Sequence, residues 1–190
     1  MVFAEWIFQY ARQDERERMD EFWDGRGIGS IGARSTKKPR LCVCGCAASA
    51  GTANWSVPAL VEVASRGGNF LLNVGPRPDG TIQTEFRERL RSTGNWLAAH
   101  GDSIYGTTYG PVQGVDSVRT TSKENQIFVH VFDWPSGALE ISGIRARVLS
   151  ARLLAGGQGL KFTQNDGIFR LDVPAQMPDA NVTTFALVTS

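Results

Sequence analysis

From Ser117 to the end, the sequence is cut into short runs of alternating or β-branched residues with turn formers between them. The runs are Ser117 to Ser122, Gln126 to Asp133, Ala138 to Ser142, Arg147 to Ala155, Leu160 to Gln164, Ile168 to Val173, and Thr183 to Thr189. Alternation with a period of two puts successive side chains on opposite faces, which is the pattern of half-buried strands. Pro135-Ser136-Gly137, Gly156-Gly157 and Asn165-Asp166-Gly167 supply the backbone conformations that tight turns need. Residues 111–190, beyond Tyr109-Gly110, are therefore expected to form an antiparallel β-sandwich.

The stretch before it has a different period. Pro58 suits the first turn of a helix, Leu60, Val61 and Ala64 give that helix an apolar side, and Gly67-Gly68 ends it. Asn69-Phe-Leu-Leu-Asn-Val-Gly75 is almost continuously apolar, as a strand covered on both faces must be in a parallel sheet. Thr84 to His100 then carries Phe86, Leu90, Trp96 and Leu97 on one side of an amphipathic helix, stopped by Gly101. Residues 57–110 thus read as one α/β unit. Residues 1–56 are atypical: a charge-dense helical pattern from Glu5 to Glu21, then a Gly-, Ser- and Ala-rich stretch from Gly25 to Gly51 without periodicity.

Length and charge set limits on function. A complete (β/α)₈ barrel takes about 250 residues, more than the 190 here, so any barrel similarity has to be partial. A formal net charge of +1 with 21% charged residues gives no field that would recruit nucleic acid or an anionic membrane, and no run approaches a membrane span. The opening Met1-Val2-Phe3-Ala4-Glu5-Trp6 lacks the basic and apolar regions of a secretory signal. Location is left open; a cytoplasmic protein is expected only if the chain is complete. The three cysteines, Cys42, Cys44 and Cys46, do not have the spacing of a zinc or redox motif, and free thiols are expected.

The blocks Val63 to Ile82 and Gly94 to Thr107 in residues 57–110, and Ile127 to Pro135 in residues 111–190, resemble in their order the family 29 α-L-fucosidases. Val63-Ala-Ser-Arg-Gly-Gly-Asn-Phe-Leu-Leu-Asn-Val-Gly-Pro-Arg-Pro-Asp-Gly-Thr-Ile82 is similar to the block that closes the family's barrel. Gly94-Asn-Trp-Leu97 and His100-Gly-Asp-Ser-Ile-Tyr-Gly-Thr107 resemble its following helix and exit loop, and Ile127-Phe-Val-His-Val-Phe-Asp-Trp-Pro135 a strand of its C-terminal sandwich. The resemblance covers about Val57 to Ser190. It implies an α/β remnant of a (β/α)₈ barrel followed by an antiparallel β-sandwich. It further implies retaining hydrolysis of terminal α-L-fucosides by an Asp nucleophile and a Glu acid/base, with no metal or organic cofactor, on a fucosylated glycan or aryl fucoside.

In the family those two carboxylates precede the matched blocks. The nearest echo here is Phe22-Trp23-Asp24-Gly25, a reordered form of the family's Trp-Phe-Asp-Gly motif. Asp24 is the candidate nucleophile and Glu21, three residues before it, the candidate acid/base; the alternative is a pair of carboxylates at a helix end. Asn69 and Asn73 are polar amides in an apolar strand. They either orient loops at the barrel mouth around the substrate or fix the strand by backbone hydrogen bonds. Trp134 is a candidate sugar-stacking residue, as is Tyr109, with core packing as the alternative for each. Two further expectations follow. The chain either acts as a glycosidase or is a catalytically incomplete fragment serving as a structural or carbohydrate-binding module. The uncovered faces of its α/β unit make it self-associate as a homo-oligomer.

Overall fold

The computed structural model describes residues 41–45, 55–73, 76–112 and 117–190. The charged pattern of residues 5–21 and the Asp24 motif lie outside the described residues.

The α/β part begins with strand β1 (Leu41–Gly45), helix α1 (Ser56–Ser65) and strand β2 (Asn69–Asn73). β1 and β2 pair in parallel, Leu41 opposite Asn69 and Gly45 opposite Asn73, so α1 is the crossover of a βαβ unit. The Cys-bearing run Leu41-Cys-Val-Cys-Gly45 is therefore a strand. Its sequence signal was hidden, because five residues ending in Gly give too short a run to separate from a loop. Helix α1 ends where Gly67, at φ 70°, takes the left-handed conformation, and Gly68 N–H closes back on Val63 O. Helix α2 (Thr84–His100) buries Phe86, Thr93, Trp96 and His100 and runs into a 3₁₀ turn, Gly101–Ser103. Ser56 Oγ and Thr93 Oγ1, 2.7 Å apart, link α1 to α2 in a buried position.

All seven expected runs form strands. A two-residue strand β3 (Thr108–Tyr109) precedes β4 (Val118–Lys123), β5 (Gln126–Val131), β6 (Leu139–Ser142), β7 (Val148–Leu153), β8 (Phe162–Asn165), β9 (Ile168–Leu171) and β10 (Thr183–Thr189). They build a five-stranded antiparallel sheet in the order β3-β4-β5-β10-β7 and a three-stranded sheet in the order β6-β9-β8. The two-residue loop of the β8–β9 hairpin places Asp166 and Gly167 at φ 51° and 79°, the type I′ geometry that an Asn-Asp-Gly sequence favours.

One core joins the two sheets. Ile127, Val129, Val131, Phe185 and Leu187 from the larger sheet pack with Leu139, Ile141, Phe169 and Leu171 from the smaller. Gln164 on β8 ties the segment before β7 to this sandwich: its amide donates to Ile144 O and Ala146 O and accepts from Val148 N–H. The sequence does not announce that the five-stranded sheet is buried on its other face as well. Phe128, His130, Thr184 and Ala186, the alternate positions of β5 and β10, are all buried. The residues that meet this face include Ser103, and a second cluster of Val57, Val61, Trp96 and Val182, with Phe132 packed against it, joins the helices to the sheet. The order of layers is thus helices, five-stranded sheet, three-stranded sheet.

Candidate functional site

β2 ends at Asn73, and the chain beyond it is held in a tight turn. Asp79 Oδ1 accepts from the Thr81 N–H at 2.9 Å and from the Thr81 hydroxyl at 2.7 Å, while Arg77 N–H reaches Thr81 O and Gly80 N–H reaches Arg77 O. Gly80 sits at φ 82°, where a side chain would be strained. The Thr81 backbone N–H, followed by its hydroxyl, holds the Asp79 carboxyl below its ordinary value, so the exposed carboxylate stays ionised as a turn-forming group. Strand ends followed by short preformed loops are where parallel α/β folds gather their ligand-binding groups. Asn69 and Asn73 open and close β2, opposite Leu41 and Gly45; their side chains lie outside the described ones.

The other candidates are far along the chain. Trp134 donates its indole N–H to Pro174 O at 3.1 Å, and its ring lies 6.1 Å from that of Phe185, tilted by 35°. Tyr109, on β3, is 64% exposed, so a face of its ring is open to a partner. Asp24 and Glu21 are outside the described residues, as are the side chains of the three cysteines.

The seam between the helices and the five-stranded sheet holds polar groups that the sequence reading passed over. Both histidines of the chain are there. Thr121 donates its only hydroxyl proton to Ser103 O at 2.7 Å, so towards His130 Nε2, 3.1 Å away, it must accept. His130 therefore carries its proton on Nε2, and Nδ1 accepts from Thr184 Oγ1 at 3.1 Å. Complete burial, with a smaller contribution from His100, pushes the His130 pKa down to about 3. His100 stacks on Trp96 with centroids 4.6 Å apart, and its own pKa is lowered by burial. Trp96 in turn donates to Val182 O at 3.0 Å, which fastens α2 to the segment leading into β10. Nearer the edge, Glu62 of α1 pairs with both Arg66 and Arg119 of β4, whose guanidinium lies 5.7 Å over the Phe132 ring. The only signal in the sequence was a histidine inside an apolar strand, which does not by itself say which face it occupies. With both ring nitrogens of the neutral His130 hydrogen-bonded to threonine hydroxyls, this part of the seam suits holding two layers in register.

Comparison with known proteins bears on about two thirds to three quarters of the chain. A family model described as "Alpha-L-fucosidase" matches residues 47–102, the stretch that includes α1, β2 and α2. An α-L-fucosidase of Branchiostoma floridae is 38% identical over 130 residues, 66% of this chain and 28% of its own length. Among solved structures, α-L-fucosidase isoenzyme 1 from Paenibacillus thiaminolyticus is 34% identical with a TM-score of 0.68, over 73% of this chain and 35% of that one. The chain belongs with the C-terminal portion of the family 29 α-L-fucosidases. A Thermotoga maritima α-fucosidase, in complex with a mechanism-based inhibitor, gives the same likeness, 33% identical with a TM-score of 0.64 over 72% of this chain. The chain spans 28% of the Branchiostoma protein and 34–35% of these two structures, so the likeness concerns the closing part of a longer molecule. Within it, the antiparallel β-sandwich is the fold common to this chain and the fucosidase structures.

Proposed function

We propose that this chain serves as an α-L-fucosidase, a glycosidase that hydrolyses terminal α-L-fucosides of a fucosylated glycan or aryl fucoside with retention. The observation that carries the reading is the family match through β2 and α2, continued by similarity along the sandwich. In this reading α1, β2 and α2, in residues 57–110, are the closing part of a (β/α)₈ barrel, β1 comes from the segment before them, and 111–190 are its C-terminal sandwich. The parallel pairing of β1 with β2 across a helix favours it, since that is the unit such barrels repeat.

Asn73, at the end of β2, and the Asp79-pinned turn after it would then lie at the mouth of the barrel. Asn69 and Asn73 would position substrate-facing loops, and Trp134 would act as a sugar platform only by exposing a face beyond its contact with Phe185. Residues 1–56 would supply the carboxylate pair, Asp24 as nucleophile and Glu21 as acid/base. In a retaining mechanism the Asp24 carboxylate attacks the anomeric carbon while Glu21 gives a proton to the leaving oxygen; water, deprotonated by Glu21, then releases fucose. A barrel so incomplete needs its open faces covered, which favours assembly of several copies.

The test is turnover of 4-nitrophenyl α-L-fucoside by the purified chain and by Asp24→Gly. Loss of several orders of magnitude in rate with azide rescue supports Asp24 as nucleophile. Turnover unchanged in that variant removes Asp24, and absence of turnover in the native chain, with fucose still bound, makes it a binding module instead. Light scattering over the micromolar range gives the assembly state, and a monomer throughout would refute self-association.

A further inference from the structure

The segment that leads into β10 carries the triplet Asn181-Val182-Thr183. An asparagine followed two residues on by a hydroxyl residue, with no proline between, is the acceptor pattern for an N-linked sugar. The pattern occurs once more, at Asn54-Trp55-Ser56, where Asn54 lies outside the described residues. Such triplets also arise by chance, so the placement of the amide has to decide. Asn181 sits two residues before β10, outside the strands, and is partly exposed, whereas Val182 and Thr183 are buried.

The two ends of its side-chain amide meet different surroundings. Oδ1 is buried. Nδ2 makes no hydrogen bond among the described residues and is not buried, so the nitrogen that would carry a sugar is the end open to solvent. The backbone around it is held in place, since Asn181 N–H donates to Asp179 Oδ1 at 2.8 Å and Trp96 donates to Val182 O at 3.0 Å. Beside Asn181 a hollow of about 400 Å³, lined on α2 by Arg91, Ser92 and Asn95, leaves space for a first sugar ring. The hydroxyl of the triplet is in the opposite state. Thr183 is buried and its Oγ1 accepts from Asp179 N–H at 3.2 Å, so a transferase can read it only before β10 joins its sheet. Attachment therefore precedes folding, and the folded chain has only to leave room at Nδ2. We propose that Asn181 is a site of N-linked glycosylation, filled as the newly made chain enters a secretory compartment. In the transfer a bond forms between Nδ2 and C1 of the first sugar of a lipid-diphosphate-linked oligosaccharide. The bond from C1 to the diphosphate oxygen breaks, one Nδ2 proton passes to solvent, and the lipid diphosphate leaves. The proposal stands whether or not the chain turns over fucosides.

The experiment is expression of the full chain behind a cleavable secretion leader in mammalian cells. The secreted protein is treated with a peptide N-glycosidase in heavy-oxygen water and its peptides are weighed by mass spectrometry. Labelled aspartate at position 181, in the peptide that follows Arg170, is the expected result. Asn181→Gln and Thr183→Ala should each abolish the label, whereas Thr183→Ser, which keeps a hydroxyl for Asp179, should retain it. The glycosylated protein should also unfold at the same urea midpoint as Asn181→Gln, because a sugar on an open nitrogen displaces no contact. No label at position 181 in secreted protein, label confined to Asn54, label that survives Thr183→Ala, or label found only in retained and misfolded chain would overturn the proposal. So would a glycosylated form that unfolds well before the Asn181→Gln variant.

Discussion

Acid should loosen the seam between helices and sandwich, and His130 sets how strongly. In the unfolded chain this imidazole titrates near 6.5, while in the folded protein burial holds it at about 3. Between those values the unfolded state binds a proton that the folded state does not. The stability contributed by neutral His130 is therefore fully present above pH 6.5 and is lost as pH falls from there towards 3. At about 1.4 kcal/mol per pH unit, 1.5 units below 6.5 gives a loss of about 2 kcal/mol at pH 5 and about 3 kcal/mol at pH 4. Against a typical domain stability of roughly 5–15 kcal/mol this is a large change. The groups around the ring are the Thr121 and Thr184 hydroxyls and, at longer range, His100, so no carboxylate hydrogen-bonds to the ring to offset the cost among the described residues. The assay is urea unfolding at pH 7, 6, 5 and 4 for the native chain and for His130→Gln. Gln can reach towards Thr121 as the Nε2–H does but has no proton to gain. The variant should lose about 1–2 kcal/mol at pH 7, because the Thr184 hydroxyl is left without its acceptor. Its stability should then fall less with acid, with the remaining slope owed to His100 and Asp79. Equal slopes in the two proteins would show that His130 is not held neutral by burial and would refute the reasoning.

Other substitutions test single contacts. Trp96→Phe keeps the ring in its cluster but leaves Val182 O without its donor, and should cost about 1–3 kcal/mol in urea unfolding. Gly110→Ala would put a Cβ 2.5 Å from Thr120 Cβ and 2.7 Å from the Thr120 carbonyl carbon; a loss above about 2 kcal/mol is expected, measured as a drop in melting temperature. Gly94→Ala, with nothing within 4 Å of the new methyl inside α2, should instead stabilise by up to about 1 kcal/mol. Glu124 occupies the β4–β5 turn at φ 53°, so Glu124→Gly should raise stability by about 1 kcal/mol, read from the same melts.

The strands of the sandwich were legible because their information is local. Alternation tells which residues share a face, and Asn165-Asp166-Gly167 nearly dictates its turn, so β4 to β10 fall within a few residues of the runs read from sequence. The same held for α1, β2 and α2, whose ends are written in Pro58, Gly67-Gly68 and Gly101. β1 escaped, since its pairing with β2 lies more than twenty residues away and a five-residue strand carries little periodicity of its own. The family resemblance was also sequence information, carried by ordered blocks. The site was less legible. Trp134 allowed two readings, and what its indole N–H and its ring meet, Pro174 O and Phe185, is decided by segments distant in sequence. Nor does alternation say whether the second face of a sheet meets water or protein. Thr121, His130 and Thr184 would suit a solvated face equally well by composition. Only the docking of α2 and its 3₁₀ turn, fixed by Trp96 on Val182 O and Ser103 O on Thr121, turned them into a buried seam with a neutral histidine. Periodicity is a property of neighbours along the chain, whereas burial and proton affinity are set by whatever the rest of the molecule brings against them.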